Sequence, residues 1–332
     1  MFGVGLHFSP KELVRVQSIA LPGAIAQIAV ATALGWGVGM LMGMSGPEAA
    51  IFGFSLSVAS TVVLLRAIES RGQLKTSIGQ IAVGWLLVED MVIIVALVLL
   101  PLLVNMGAHD SGAAIAREIM WTFAKIAAFL ALMFVVGVRA MPTILVWIAH
   151  TRSRELFTLG VLSIALGIAW LAYAVFGASF ALGAFVAGLV LNSTPLGHNA
   201  AERSLPLRDA FAVLFFVSVG MLFDPATLIR EPIGVFATLA IILVGKSLAA
   251  IAVTNLFGRN RREGLTIAAS LAQIGEFSFI LAGLGVTLEL ISHETNNLIL
   301  AAALLSIALN PFMFKLADRL TRDMESPPEP AT

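Results

Sequence analysis

The sequence predicts an all-α, polytopic membrane protein, and three observations support this fold class. Of the 332 residues, 59% are hydrophobic and 12% are charged, with a mean hydropathy of +0.96. A soluble domain carries about 25% charged residues, so this chain could not cover a water-facing surface. Several apolar segments reach the roughly 20 residues that a helix needs to cross a bilayer. Lys and Arg also alternate between segment ends in the pattern of a multi-spanning protein.

Ten apolar segments are predicted to span the membrane. They cover residues 18–44, 47–69, 74–104, 119–140, 154–176, 178–193, 207–222, 233–257, 264–289 and 295–320. The segment 178–193 is short and rich in Gly and Ala, which suits close packing between helices. Residues 1–17 are interpreted as the remnant of a membrane helix followed by a cytoplasmic loop, because "MFGVGLHF" is too short to span and lacks the features of a signal peptide. Residues 321–332 are polar and Pro-rich and are predicted to be a disordered tail.

The orientation follows from the basic residues. Of 20 Lys and Arg residues, Arg117, Lys125 and Arg230 lie at one set of segment ends, Lys246 lies within a span, and the others lie at the opposite ends. Basic ends face the cytoplasm, so we expect a cytoplasmic C-terminus in the cell (inner) membrane. The net charge of zero points to no nucleic-acid partner. Because Cys is absent, disulfides, thiolate metal sites and cysteine nucleophiles are excluded.

Three ionisable side chains are predicted at the same depth of the membrane. Asp90, Lys246 and Glu276 each lie near the centre of a different predicted span. Even on insertion scales an isolated charge at this depth costs about 2.5 kcal/mol, and such residues usually mark a functional site. Their alignment therefore indicates a shared polar cavity.

Two spans contain hydrogen-bonding residues where apolar residues would be expected. They are "FGFSLSVASTVV" within 47–69 and "SLAQIGEFSF" within 264–289. Interrupted transporter helices expose backbone groups at the midplane, where polar side chains satisfy them. The loop charges give the two segments opposite directions, which indicates two halves related by a pseudo-two-fold axis in the membrane plane. The candidate residues are Ser57, Ser60, Thr61, Gln273 and Glu276.

The ordered motifs resemble the Kef-type branch of the monovalent cation:proton antiporters. The matching stretches include "FSLSVASTVVLL", "LLVEDMVII", "FGASFALGAFVAGLVL", "LFFVSVGM", "VGKSLAA" and "SLAQIGEFSFIL". The resemblance implies an antiporter fold with inverted repeats and two crossed discontinuous helices, N-terminally incomplete by two spans and most of a third. It also implies exchange of a monovalent cation, K⁺ before Na⁺, for H⁺ by alternating access, with no cofactor in this chain. Membrane lipid, a second copy in a homodimer and a nucleotide-binding regulatory domain beyond this chain are the partners it implies.

The same resemblance divides the chain. It implies first-repeat core helices at 18–104, a linker helix at 105–153, dimerisation-side helices at 154–232 and second-repeat core helices at 233–320. Within the first repeat, the broken helix covers about 47–69 and the Asp-bearing helix about 74–104.

The resemblance also assigns roles to single residues. Asp90 matches the essential ion-binding aspartate, and Lys246 matches a lysine that can pair with it. Ser57, Ser60 and Thr61 match the first broken helix, while Gln273 and Glu276 match the second. Glu89 is a departure, because Kef-type proteins usually have Gln before the Asp, and it leaves the ratio of ions to protons open. The predicted ion- or proton-binding residues are Asp90, Glu89, Ser57, Ser60 and Thr61, and the predicted charge partners are Lys246, Glu276 and Gln273. The working hypothesis is that Asp90 binds either a proton or an alkali cation, and that their competition couples the two fluxes.

Each residue also has a structural interpretation, which the sequence leaves open. Asp90 and Lys246 could form an ion pair that fixes two helices. Glu276 could neutralise the positive ends of half-helices, and the Ser and Thr hydroxyls could bond to their own helix backbone. Glu89 lies about 100° around the helix from Asp90 and could face another helix as a hydrogen-bonded acid.

Three alternatives to cation/proton exchange follow from the sequence. An intramembrane protease is disfavoured, because the histidines lie in loops or at span ends and Asp90 is the only Asp at mid-span. A channel is disfavoured because the sequence contains no filter-like repeat, although channel-like potassium efflux has been described for Kef-type systems. The third alternative is a fragment without transport activity.

Overall fold

A computed structural model describes residues 2–7, 10–105, 112–178 and 180–321, and in these ranges the regular structure is entirely helical. This confirms the predicted all-α class. The helices are α1 (Phe2–His7), α2 (Pro10–Leu41), α3 (Gly46–Ser55), α4 (Thr61–Ser70), α5 (Ser77–Asn105), α6 (Gly112–Leu132), α7 (Val138–Ala149), α8 (Arg154–Phe176), α9 (Phe180–Asn192), α10 (Gly197–Leu222), α11 (Thr227–Arg230), α12 (Pro232–Ala240), α13 (Lys246–Leu256), α14 (Arg261–Leu271), α15 (Glu276–Thr287) and α16 (His293–Thr321). Two π-helical turns, Met133–Gly137 and Ile241–Gly245, join α6 to α7 and α12 to α13.

Six described helical stretches are long and apolar enough to cross a membrane. They are Val16–Leu41, Ser77–Pro101, Met120–Ala149, Arg154–Phe176, Pro232–Leu256 and His293–Thr321. The pair α14 and α15 passes the same criterion as one span that bends by 42° at its break. The three other predicted spans correspond to the α3–α4 pair, to the shorter helix α9 and to α10. The protein is therefore a multi-pass membrane protein.

Several predicted boundaries are wrong. The helix expected to end at residue 140 continues through α7 to Ala149, and the helix expected to begin at residue 207 begins at Gly197. Hydropathy reports where a chain leaves the lipid, whereas a helix continues as long as its backbone hydrogen bonds do. Arg139, at the predicted boundary, turns back along the helix and donates from Nη1 to the Val135 carbonyl at 2.5 Å. The predicted tail, apart from Thr321, lies outside the described residues.

The chain forms two compact units. The larger comprises residues 10–93 and 218–332, within which α2, α3, α13, α14 and α16 are neighbours. Its core is formed by Trp85, Ile81 and Leu86 of α5 with residues of α2, α4 and α14. Helices α2 and α3 approach closely because Gly35 and Gly53 face each other, and a Cβ at Gly35 would lie 3.2 Å from the Gly53 nitrogen. This unit contains every candidate site residue.

The smaller unit comprises residues 1–9 and 94–217. Small residues of α9 bring its neighbours close, as the sequence predicts. A Cβ added at Gly183 would lie 2.6 Å from the Ala169 Cα of α8, and one at Gly188 would lie 2.8 Å from the Leu6 nitrogen of α1. Close packing of this kind gives dispersion contacts between membrane helices, where burial from water offers little driving force.

Candidate functional site

The site lies where two helices are interrupted. Residues 56–60 separate α3 from α4, and residues 272–275 separate α14 from α15. The two interruptions touch at Gly275, because a Cβ there would lie 2.6 Å from the Ser60 Cβ and 2.8 Å from the Ser60 nitrogen. Only a glycine permits this approach. The two discontinuous helices that the sequence predicts, and the crossing that the family resemblance implies, are therefore present.

Gln273 joins the two interruptions. Its Oε1 accepts from the Ser60 backbone nitrogen at 2.8 Å, and its Nε2 donates to the Ser60 carbonyl at 3.2 Å and to the Ser270 carbonyl at 3.3 Å. Both hydrogens of the amide are thus used, and the side chain is fully buried. Backbone groups left free by an interrupted helix need such partners in a membrane. Gln273 therefore replaces hydrogen bonds that a continuous helix would make.

Ser60 and Glu276 mark the beginnings of the two half-helices. Ser60 is the N-cap of α4, where its Oγ accepts from the Val63 nitrogen at 3.4 Å. The same hydroxyl donates to Glu276 Oε2 at 3.1 Å, and Glu276 is the first residue of α15. A carboxylate at a helix N-terminus interacts favourably with the helix dipole. This position supports the interpretation of Glu276 as a neutralising charge for half-helix ends.

Asp90 lies within α5 beside the beginning of α4. It is 1% exposed, and its Oδ2 accepts from the Thr61 hydroxyl at 3.0 Å. Its Oδ1 is buried and has no hydrogen-bond partner. A buried acceptor without a partner is costly, and such an exception calls for an explanation. Asp90 therefore has one carboxylate oxygen fixed and one available.

Glu89 faces a different set of groups. Its Oε1 accepts from Gln27 Nε2 of α2 at 2.6 Å, and its Oε2 accepts from the Ala59 nitrogen at 2.8 Å. Ala59 directly precedes the N-cap of α4, so the carboxylate lies at the positive end of that helix. The side chain is fully buried. Neighbouring carboxylates in the sequence thus have unlike environments, with both oxygens engaged in Glu89 and one in Asp90.

Lys246 follows the π-helical turn Ile241–Gly245 and is fully buried. Its Nζ donates to the Gln273 carbonyl at 3.0 Å, beyond the last residue of α14. A cation at this point complements the negative end of the half-helix. Among the described residues no ion pair within 4 Å joins Lys246 to Asp90.

Sequence reasoning missed three polar residues that support the site. Gln27 is one. The others lie on α16, where Ser306 Oγ accepts from the Ile274 nitrogen at 3.4 Å and Asn310 Nδ2 donates to the Ala269 carbonyl at 2.8 Å. All three are buried in apolar stretches. Uncharged polar residues were considered from the sequence only where they cluster, and a search for single ones inside apolar spans would have found these three.

The hydroxyl groups of the first interruption are not equivalent. Ser57 Oγ donates to the Phe54 carbonyl at 2.7 Å, the local bond to its own helix that the alternative interpretation anticipates. Ser60 and Thr61 instead bond to the carboxylates of Glu276 and Asp90. In the described part of the chain, no three His, Cys, Asp or Glu side chains form a cluster that could hold a metal ion. Asp90 and Thr61 supply a carboxylate and a hydroxyl oxygen, which suit hard cations.

Comparisons with known proteins reveal relatives along the whole chain. A family profile described as "Sodium/hydrogen exchanger, transmembrane" matches residues 1–317. The "Putative cation/proton antiporter YbaL" of Escherichia coli strain K12 is 57% identical over 98% of this chain and 59% of its own length. "K(+) efflux antiporter 4" of Arabidopsis thaliana is 32% identical over 95% of this chain and 53% of its own length. The chain thus spans little more than half of these relatives.

Among solved structures, the sodium proton antiporter MjNhaP1 from Methanocaldococcus jannaschii is similar. The TM-score is 0.70 at 17% identity, over 96% of this chain and 82% of that one. At this identity the likeness concerns the fold alone, and it confirms the predicted antiporter fold.

Proposed function

Because the chain belongs to the sodium/hydrogen exchanger family, we propose that it exchanges a monovalent cation for H⁺ across a membrane. The membership also agrees with the resemblance to Kef-type antiporters that the sequence motifs carry. We propose that exchange proceeds by alternating access, with Asp90 as the group for which cation and proton compete.

One observation carries this proposal, namely the unequal surroundings of the two Asp90 oxygens. Thr61 holds Oδ2, while Oδ1 is buried beside the helix interruptions without a protein partner. A proton or a cation on Oδ1 would satisfy it, and a single carboxylate cannot be protonated and bind a cation equally well. Because the cation and the proton compete for the same carboxylate, the cation flux is coupled to the proton flux.

The site has a surplus of negative charge, which favours a cation. When ionised, Glu89, Asp90 and Glu276 contribute three negative charges and Lys246 one positive charge. The positive beginnings of α4 and α15 and the negative ends of α3 and α14 meet at the same interruptions, so their partial charges largely cancel. Either a proton or an alkali cation at Asp90 reduces this surplus.

The cargo is proposed to be K⁺, with Na⁺ as the alternative. The potassium assignment follows the printed names of relatives such as K(+) efflux antiporter 4. Alkali cations prefer oxygen ligands, which Asp90, Thr61, Ser60 and the carbonyls of the interrupted helices could supply. Ser57 stays in the predicted ligand set, with lone pairs of its hydroxyl oxygen still available. We propose that the cation-binding site is held in place by interactions of the interrupted helices with Lys246, Gln273 and Glu276.

The cellular setting is also proposed from the sequence. Basic loops predict a cytoplasmic C-terminus in the inner membrane. A homodimer and a regulatory nucleotide-binding domain are expected for the whole protein, by its resemblance to Kef-type antiporters.

The proposal is tested with full-length protein in liposomes that contain a pH dye. A K⁺ gradient should drive proton movement, and Asp90→Asn should abolish it. Asp318→Asn makes the same chemical change at a side chain that is 53% exposed and should retain exchange. Exchange by Asp90→Asn at the rate of the unmodified protein would refute the proposal. Potassium flux without proton movement would instead favour the channel.

A further inference from the structure

Gln27 is a buried polar residue in the middle of the apolar helix α2. Its neighbours in sequence are "GAIAQIAVA", and its side chain is fully buried. Nε2 donates to Glu89 Oε1 at 2.6 Å. The other amide atom, Oε1, has no partner. The residue is thus held by a single contact, and that contact is with the carboxylate next to Asp90.

The contact continues into the first interruption. Glu89 receives Gln27 on Oε1 and the Ala59 nitrogen on Oε2. The chain then reaches Ser60, the N-cap of α4, and Thr61, which holds Asp90. Gln27, Glu89 and Ala59 therefore form one continuous path from α2 to the residues that set the position of the Thr61 hydroxyl.

We propose that Gln27 is a positioning residue for the cation site. By holding one oxygen of Glu89, it directs the other oxygen to Ala59 and so fixes the segment 56–60 beside Asp90. Glu89 then serves as an anchor at the beginning of α4, and of these two adjacent carboxylates only Asp90 has an oxygen without a hydrogen bond. This inference rests on the proposed function, because it concerns the geometry of the same site.

Three variants test whether the hydrogen bond, and not the volume, of Gln27 matters. Gln27→Leu removes the donor at similar volume, and we expect kcat/KM for the cation to fall about tenfold, the effect of one hydrogen bond to a charged group. Gln27→Glu keeps the shape of the side chain but places a second carboxylate against that of Glu89, so we expect a larger loss of kcat/KM. The double variant Gln27→Glu/Glu89→Gln exchanges the partners. The amide at position 89 can then donate to position 27 and still accept from Ala59, so activity should rise above that of Gln27→Glu alone.

A matched control lies on the same helix. Thr32 Oγ1 is buried without a partner, so Thr32→Val removes a hydroxyl that holds nothing and should leave kcat/KM within about twofold. Amide hydrogen exchange gives a second measurement that needs no transport. Gln27→Leu should accelerate exchange in a peptide covering residues 56–61 and leave a peptide from α8 unchanged, which also shows that the variant is folded.

The outcomes separate this inference from the proposed function. If the unmodified protein exchanges no cation for H⁺, the proposed function fails. If it does, but Gln27→Leu behaves like Thr32→Val in both measurements, the inference alone is overturned. It is also overturned if the double variant is no better than Gln27→Glu, since a role in packing alone predicts no rescue.

Discussion

Gly275→Ala should separate the two helix interruptions. A methyl group on Gly275 would lie 2.6 Å from the Ser60 Cβ and 2.8 Å from the Ser60 nitrogen. Nonbonded carbon atoms prefer about 3.5–4.0 Å, so the segments must move apart by about 1 Å. The bond from the Ser60 nitrogen to Gln273 Oε1, now 2.8 Å long, would then exceed hydrogen-bond range. The Ser60 atoms nearest to Gly275 are its nitrogen, Cα and Cβ, and rotation of the side chain moves none of them.

The magnitude follows from these two effects. Overpacking costs about 1–3 kcal/mol, and each lost hydrogen bond adds about 1 kcal/mol. We expect the free energy of unfolding, measured by titration with SDS in mixed micelles, to fall by about 2–4 kcal/mol. Cation/proton exchange in liposomes should fall with it.

The control for this variant is Gly283→Ala. Gly283 lies within α15, and a Cβ there would meet nothing within 4 Å. Alanine is the better helix former by about 0.5–1 kcal/mol, so this variant should be as stable as the unmodified protein or more so. Equal stability and equal exchange for the two alanine variants would refute the account of the crossing.

Other substitutions test single contacts. Lys246→Met should lower the free energy of unfolding by about 1.5–3 kcal/mol, because the buried Gln273 carbonyl loses a charged donor. Lys246→Arg keeps a charged donor and should lose less stability, so equal stability of the two variants would contradict this prediction. Thr61→Val should weaken apparent cation affinity about tenfold through the loss of the donor to Asp90, while Thr61→Ser should retain it; isotope uptake at varied K⁺ measures both. Arg71→Ala should change stability by no more than about 1 kcal/mol, because its ion pair is partly exposed, and a larger change in the same SDS titration would be evidence against this reading.

That the polar residues of the site meet could be predicted from the sequence, because their positions along their helices give them similar predicted depths. Asp90, Lys246 and Glu276 stand near the centres of apolar stretches, and the polar segments interrupt two others. The cost of charge in hydrocarbon makes such residues conspicuous without any knowledge of their neighbours. The interruptions could be predicted from a different rule, because unwound backbone in a membrane needs polar side chains as hydrogen-bond partners.

The contacts within the site could not be predicted in the same way. Lys246 has a long, flexible side chain, and its ammonium lies on the Gln273 carbonyl and not on Asp90. Several hydrogen-bond acceptors are predicted at the same depth as its ammonium. The path of the unwound backbone decides which of them it contacts, and that path cannot be predicted from spacing along the sequence. The π-helical turn Ile241–Gly245 before it also has no distinctive residues.

Gln27 illustrates a different limit. It is uncharged and stands alone in an apolar helix, so a reading based on charge passes over it. Its importance follows only from the position of Glu89 on a neighbouring helix. Glu89 and Asp90 have distinct surroundings because adjacent helix residues point about 100° apart, which can be predicted from the sequence. The helices that pack on the two sides could not be predicted in this way.

Proton release on cation binding tests the central proposal most directly. Purified full-length protein in weakly buffered detergent solution is titrated with K⁺ while a dye reports the pH. In a titration that starts at a pH where Asp90 is protonated, competition at Asp90 predicts about one proton released per bound cation, and no release from Asp90→Asn. Saturable K⁺ binding that releases no protons, or undiminished release from Asp90→Asn, would contradict the account.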